Sequence, residues 1–303
     1  MAVGRGRRPG PQVTVPDLSD EDMYKPSARR IERERHKRTR ARRATAIATI
    51  STVVTAAVLY LVVTGSPGWP ATKKAFFSAH YARMAFPKVI DGLWLNIRLM
   101  VICGAIILVL GMLIAITRTL RGPVFFPLRA LATAYVDFFR GLPLIICLLM
   151  VVFGVPALRL QGVTVNPVIL GGTALVLTYS AYVAEVFRAG IETVHPSQRA
   201  AARSLGLSGP QTMRFVVLPQ AVRRVVPPLL NDLVSLQKDT GLVSIGGAVD
   251  AVHAADIIVG KYFNYTPYVV AGLVFVALTI PMTRFTDWVT ARMYRRQSQG
   301  GTV

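Results

Sequence analysis

Charge is what this sequence is short of. Of 303 residues only 17% are charged, where soluble domains carry about 25%, while 52% are apolar and the mean hydropathy is +0.46. That balance points away from a soluble globular chain. Acidic residues are scarcer still, 15 against 35 Lys and Arg, for a net charge of +20. A nucleic-acid binder would share the excess of base, but not the several long uncharged apolar runs. A membrane protein whose basic residues lie in cytoplasmic segments, beside anionic lipid, accounts for both. The two cysteines, Cys103 and Cys147, sit inside apolar runs, which excludes a disulfide framework and suits small buried packing residues. The four histidines, His36, His80, His195 and His253, have no metal-ligand spacing, so no metal is expected. No G-x-x-x-x-G-K-[ST] phosphate loop occurs, so the chain is not expected to hydrolyse ATP. No Ser/His/Asp or Cys/His constellation suggests an enzyme.

What is present is a series of apolar runs behind a basic tail. Residues 1–43 are polar and Arg-rich, opening with GRGRRPGP, and read as a disordered basic cytoplasmic tail. Within it, Asp17, Asp20, Glu21 and Asp22 precede a basic run, Arg29 to Arg43, that fits a solvated or lipid-facing helix. Ala44–Thr64 is uncharged over 21 residues, enough to cross the hydrocarbon. The arginine-rich segment before it and the poor cleavage site after it, SPGWP, favour an uncleaved anchor over a signal peptide. Further spans are expected at Asn96–Thr117, Leu144–Leu158 (short unless extended back through Phe138), Val168–Phe187, Pro227–Val249 and Tyr268–Val289. The fifth is broken by polar residues, and Pro281 is expected to kink the sixth. Trp69, Trp94 and Trp288 lie near predicted span ends, where indole rings favour the interface. With the tail inside, 27 Lys and Arg fall on the inner segments and six on the outer ones, so both termini are expected to be cytoplasmic.

The longest inner loop between spans, residues 188–224, carries more order than a linker needs. Pro196 suits the first turn of a helix, SQRAAARSL continues it, and Gly206 suits the left-handed residue that ends it. Ser208 and Gln211 have capping-box spacing, opening a second short helix expected to reach Val217 and stop at Pro219. Ala201, Ala202 and Leu205 make an apolar stripe, and Arg199 and Arg203 lie four apart on another face. On physical grounds this helix pair fits either a partner's groove or a bed of lipid headgroups.

The loop resembles the coupling loop of permeases in binding-protein-dependent ABC importers, patterned EAA-x3-G-x9-I-x-LP. Ala200, Ala201 and Ala202 stand for EAA, Gly206 follows in register, Val216 replaces the isoleucine, and Leu218 and Pro219 close the motif. The flanks YSAYVAEVFRAGIETV and LPQAVRRVVPPLLNDLVSLQKDTGLVS, with YVDFFRGLPLII upstream, resemble the polar amino-acid branch over about residues 90–295. The resemblance implies an all-α membrane protein of about six transmembrane helices: a five-helix type I importer core plus the extra helix 44–64, with 296–303 a C-terminal tail. It implies cytosolic ABC ATPase subunits that hold the ATP and Mg, a second permease subunit, and an extracytoplasmic amino-acid-binding protein. One departure stands out: the motif's glutamate is Ala200 here, which would suit one half of a heterodimer, although homodimer and heterodimer both stay open.

Polar residues inside the spans are the candidate pathway. Asn231, Ser235 and Lys238 share a face, with Asp232 beside them and Asp239 and Gly241 beyond. Such a face suits passage of a zwitterion, as well as packing between two subunits. Tyr179, Ser180 and Tyr182 are expected to line the same cavity. Glu185 and Arg188, three apart, fit an ion pair anchoring the span end. A secondary transporter would need inverted repeats, which are not found, and a channel would leave the loop's fixed spacing unexplained.

Overall fold

A computed structural model describes residues 28–120 and 122–299, and among these every regular element is helical. The chain divides into two units, Met1–Trp69 and Pro70–Val303. In the first, helix α1 runs unbroken over Ala28–Thr64. Residues 28–43 are therefore helical, as expected of the Arg29–Arg43 run though not of a disordered tail. Neither Gly nor Pro occurs between 28 and 64, and the Arg and Glu of the basic run are good helix formers. Residues 1–27 and 300–303 lie outside the described residues. In the apolar half, Thr45, Thr49 and Thr52 return their hydroxyls to the carbonyls four residues back at 2.8–2.9 Å, which suits a helix with no water to bond. Ile47, Leu59 and Leu61 are exposed, as a lipid-facing surface requires.

The second unit starts with a short helix α2, Trp69–Phe76, and a long one, α3, Ala79–Thr119. The expected span 96–117 is only the second half of α3. Its first half continues through Pro87 and buries Ala85 and Val89, an apolar pairing hidden among the charged Arg83, Lys88 and Asp91. Next come α4, Phe126–Gly141, and α5, Leu144–Leu149, prolonged by a wide π turn and Val155–Ala157. The two halves are bent by 106°, so a third span extended back through Phe138 is broken rather than straight. Pro143 is the cause: it lacks an N–H and forces Leu142 into extended backbone (φ −89°, ψ 126°).

Helix α6, Pro167–Glu192, starts at Asn166, whose side chain accepts from the Val168 N–H at 2.9 Å. It packs in parallel against α3, Gly111 meeting Val183 and the Cys103 Sγ reaching the Gly172 carbonyl at 3.7 Å. The elbow helices α7, Pro196–Ser204, and α8, Gly209–Thr212, lead through a π turn into α9, Leu218–Asp239. Pro219 thus opens a helix where sequence had it end one. The wide turn Met213–Val217 makes room for a ring with no N–H to give, and Pro219 falls in the first turn of α9.

The expected fifth span, 227–249, is also displaced. Helix α9 begins nine residues earlier, carries Pro227 and Pro228 inside it, and gives way to a 3-10 segment, Thr240–Gly246. Helix α10, Ala251–Tyr262, then resumes at 45° and was not anticipated. The join is tied by buried polar groups. Asn96 of α3 donates to Asp250 Oδ2 at 3.0 Å and to Thr240 Oγ1 at 3.3 Å, and accepts from the Ala251 N–H at 3.1 Å. Asp250 Oδ1 in turn caps α10 through the His253 N–H at 2.8 Å. Helix α11, Thr266–Gln299, closes the bundle with Pro281 inside it. Among the described residues four helices are long and apolar enough to cross a membrane, or up to six counting each bent pair as one span, in keeping with the expected six. The main core, including Leu99, Leu148, Leu175, Leu236 and Val243, lies where α3, α5, α6 and α9 meet.

Candidate functional site

The loop between α6 and α9 folds as an elbow held by its own caps. His195 Nδ1 accepts from the Ser197 N–H at 3.2 Å, and Pro196 fills the first helical position of α7. At the far end Gly206 takes φ +84°. Its N–H donates to the Arg203 carbonyl at 2.9 Å and that of Leu207 to Ala202 at 3.2 Å, the paired bonds of a Schellman ending. The chain restarts at Ser208, whose Oγ accepts from the Gln211 N–H at 3.4 Å while Gln211 Oε1 accepts from the Ser208 N–H at 2.8 Å. Each cap contributes about 1 kcal/mol to local order.

The elbow is also tied to the spans. Arg199 donates to the Ile191 carbonyl, and Arg224 of α9 donates to Thr193 at 3.2 Å. Gly190 permits α6 to touch α9, since a Cβ there would stand 2.1 Å from a methyl of Val225. The expected apolar stripe of α7 is split. Ala202 is buried within the chain, whereas Ala201 and Leu205 face outward, Leu205 being 83% exposed. Ala200 and Arg203 are exposed, Val216 is half-buried beside a fully buried Val217, and Leu218 and Pro219 are exposed.

Glu185 is the hub of an ion network where α3, α4 and α6 end. Arg118 reaches it at 2.8 Å, Arg140 at 4.0 Å, and Arg188 forks between Glu185 and Glu192. The anchoring pair with Arg188 is present, joined by Arg118, which its position at a span end did not reveal. Glu185 does not line the cavity that Tyr179 and Asp232 share.

Farther along the spans, α3, α6 and α9 enclose a cavity of about 250 Å³, lined mainly by Ile107, Leu229, Leu233 and Leu236 with Tyr179 and Asp232. The Tyr179 hydroxyl donates to Asp239 Oδ2 at 2.6 Å. Asp232 Oδ2 is buried and has no hydrogen-bond partner among the described residues. The structure brings together Tyr179, Asp232 and Asp239, with the Tyr182 ring 6.2 Å from that of Tyr179, and the other expected pathway residues lie elsewhere. Ser180 is fully buried against α4, bonded to Val176 at 2.6 Å and to the Tyr135 hydroxyl at 2.8 Å, because one residue turns a helix by about 100°. Tyr182 leans on the Arg140 carbonyl at 3.4 Å. Asn231 and Lys238 are exposed and Ser235 half-buried, so their shared face is an outer one in the single chain.

The chain's likeness to known proteins agrees with this geometry. Residues 107–295 match the family model described as binding-protein-dependent transport system inner membrane component. The probable glutamine ABC transporter permease GlnM of Bacillus subtilis is 34% identical over 69% of this chain and 94% of its own length. The arginine transport system permease ArtQ of the same organism is 31% identical over 68% and 92%. Among solved structures, an amino acid ABC transporter crystallised with histidines superposes with a TM-score of 0.63 at 31% identity, over 68% of this chain and 94% of that one. An inward-facing MetNI methionine transporter, 22% identical with a TM-score of 0.53, shares the fold. A capped elbow between two cavity-lining spans, on a scaffold matched over most of its relatives' length, places the chain among the membrane-spanning permease subunits of binding-protein-dependent ABC importers.

Proposed function

We propose that this chain forms one half of the pathway of an ATP-driven importer for polar amino acids. The observation that carries the reading is the elbow: two short helices, rigidly capped at Gly206 and Ser208, joined at both ends to spans that line the Tyr179–Asp232 cavity. A lever of this kind transmits a partner's motion only if its own ends do not bend. In this reading a separate cytosolic ATPase, which holds the ATP and Mg, grips the elbow at Arg199–Gly206. A second permease subunit completes the pathway against the outer polar face of Asn231, Ser235 and Lys238. An extracytoplasmic binding protein delivers the amino acid. The buried carboxylate of Asp232 receives the substrate's ammonium group, with Tyr179 and Asp239 beside it. The distribution of Lys and Arg puts both termini and the elbow on the cytoplasmic side.

The test is uptake of labelled amino acids into proteoliposomes holding this chain, its partner permease, the ATPase and the binding protein. Uptake that needs both ATP and the binding protein supports the reading. Uptake undiminished without the ATPase defeats it.

A further inference from the structure

Beside the elbow lies a second cavity, about 810 Å³ in volume, whose charges do not balance. Its walls carry Arg118 and Arg188 from the span ends and Arg199 and Arg203 from α7, with Glu192 as the acid among them. Glu185 and Glu192 answer the first two arginines. Among the described residues no acid answers the second two. Arg199 uses one terminal nitrogen on the Ile191 carbonyl, while its Nε is buried with no acceptor among the described residues. Arg203 has no acceptor among the described residues. Glu192 is the sole acid in the whole loop 188–224, against six arginines.

Two guanidiniums four apart on one helix repel each other by a few tenths of a kcal/mol, and a buried N–H without an acceptor costs more. Both costs vanish when an anion enters, and the planar fork of Arg is shaped for a carboxylate taken two bonds at a time. Ala200 lines the same cavity, at the position where the family's pattern has a glutamate. With a methyl there, the loop supplies no carboxylate of its own to Arg199 or Arg203.

We propose that the docking ATPase supplies it: an acidic side chain of the partner enters this cavity and is held by Arg199 and Arg203. The inference rests on the coupling reading above and adds the chemistry of the grip. Short, small or polar walls at Thr119, Ala200, Gly209 and Thr212 fit an inserted side chain better than an acyl chain. The exposed Leu205, one residue before the bend, gives the same partner an apolar footing.

The experiment measures association of the cognate ATPase with the full-length permease in nanodiscs of neutral and of phosphatidylglycerol-containing lipid. Arg203→Glu and the milder Arg203→Gln are expected to weaken association at least ~10-fold and ~3-fold, with a flatter salt dependence than the unaltered chain. Ala200→Glu, which returns an acid to the cavity, is expected to weaken it as well. Phenylglyoxal labelling of Arg199 and Arg203, read by mass spectrometry, is expected to fall when the ATPase is added, whatever the lipid. If Arg203→Glu and Ala200→Glu leave association unchanged while Gly206→Asp abolishes it, the acidic grip is wrong and the coupling reading stands. If the unaltered chain binds no ATPase, both fall. If phosphatidylglycerol alone protects the arginines, the cavity belongs to a lipid headgroup and the proposal is overturned.

Discussion

The elbow and the Tyr179–Asp232 cavity both hold polar groups in an apolar chain, yet they are held in opposite ways. The caps of the elbow join residues within a few positions of one another: His195 to Ser197, Gly206 to Arg203, Ser208 to Gln211. The cavity joins Tyr179 to Asp239 across 60 residues and takes its walls from three helices. A locally held part can move as one piece when pushed, while a part assembled between helices changes shape whenever those helices shift. That division is what a lever and a pathway respectively need.

Substitutions can break the comparison. The largest effect is expected at Gly206→Val. A β-branched residue at φ +84° is strained by 1–3 kcal/mol or more, so the elbow unwinds. Substrate-stimulated ATP hydrolysis in proteoliposomes should be lost while the purified permease keeps its thermal stability to within a few degrees. A comparable fall in stability would mean that the elbow is not a separate piece. Next comes Asp232→Asn, which keeps shape and removes charge. Uptake should drop ~10-fold or more with ATPase association unaltered, and equal losses in both would merge the two sites into one. Glu185→Gln should come third, leaving Arg118 and Arg188 short of their shared partner at the meeting of three span ends. With these side chains 12–29% exposed, water softens the loss to about 1–2 kcal/mol, read as a drop in thermal midpoint of a few degrees. The smallest effect is Ser208→Ala, which removes one half of the capping box for about 1 kcal/mol. Association with the ATPase should weaken severalfold, and Ser208→Thr should restore it.

The same division governs what was legible in the sequence. Pro196, Gly206, Ser208 and Gln211 were read correctly because a cap is a short-range bond between neighbours. Long apolar runs marked the spans, and 167–192 was placed almost whole. Pro219 misled because a π turn upstream, invisible to any residue count, absorbed it. The reach back through Phe138 is broken rather than straight since apolar length says nothing of direction, though Gly141 and Pro143 were the signal that the chain turns there. Helix α10 was missed because its stability comes from Asn96, 154 positions from Asp250, although Asp250 itself is a good N-cap. Adjacency groups Ser180 with Tyr179, but one residue turns a helix to another face, while Tyr182, three residues on, stays beside Tyr179. Asp232 was identified as polar and membrane-embedded, but its unmet oxygen is a property of three packed helices.

Helix α1 extends well past the thickness of the bilayer. Its membrane-crossing stretch, Arg40–Thr64, accounts for 25 of 37 residues. At 1.5 Å per residue the remaining dozen make a rod of roughly 18 Å. A rod of that length, held along a membrane normal, spans about two screening lengths. Such a stalk acts as a stiff spacer: whatever its tip meets is met at a set height above the membrane.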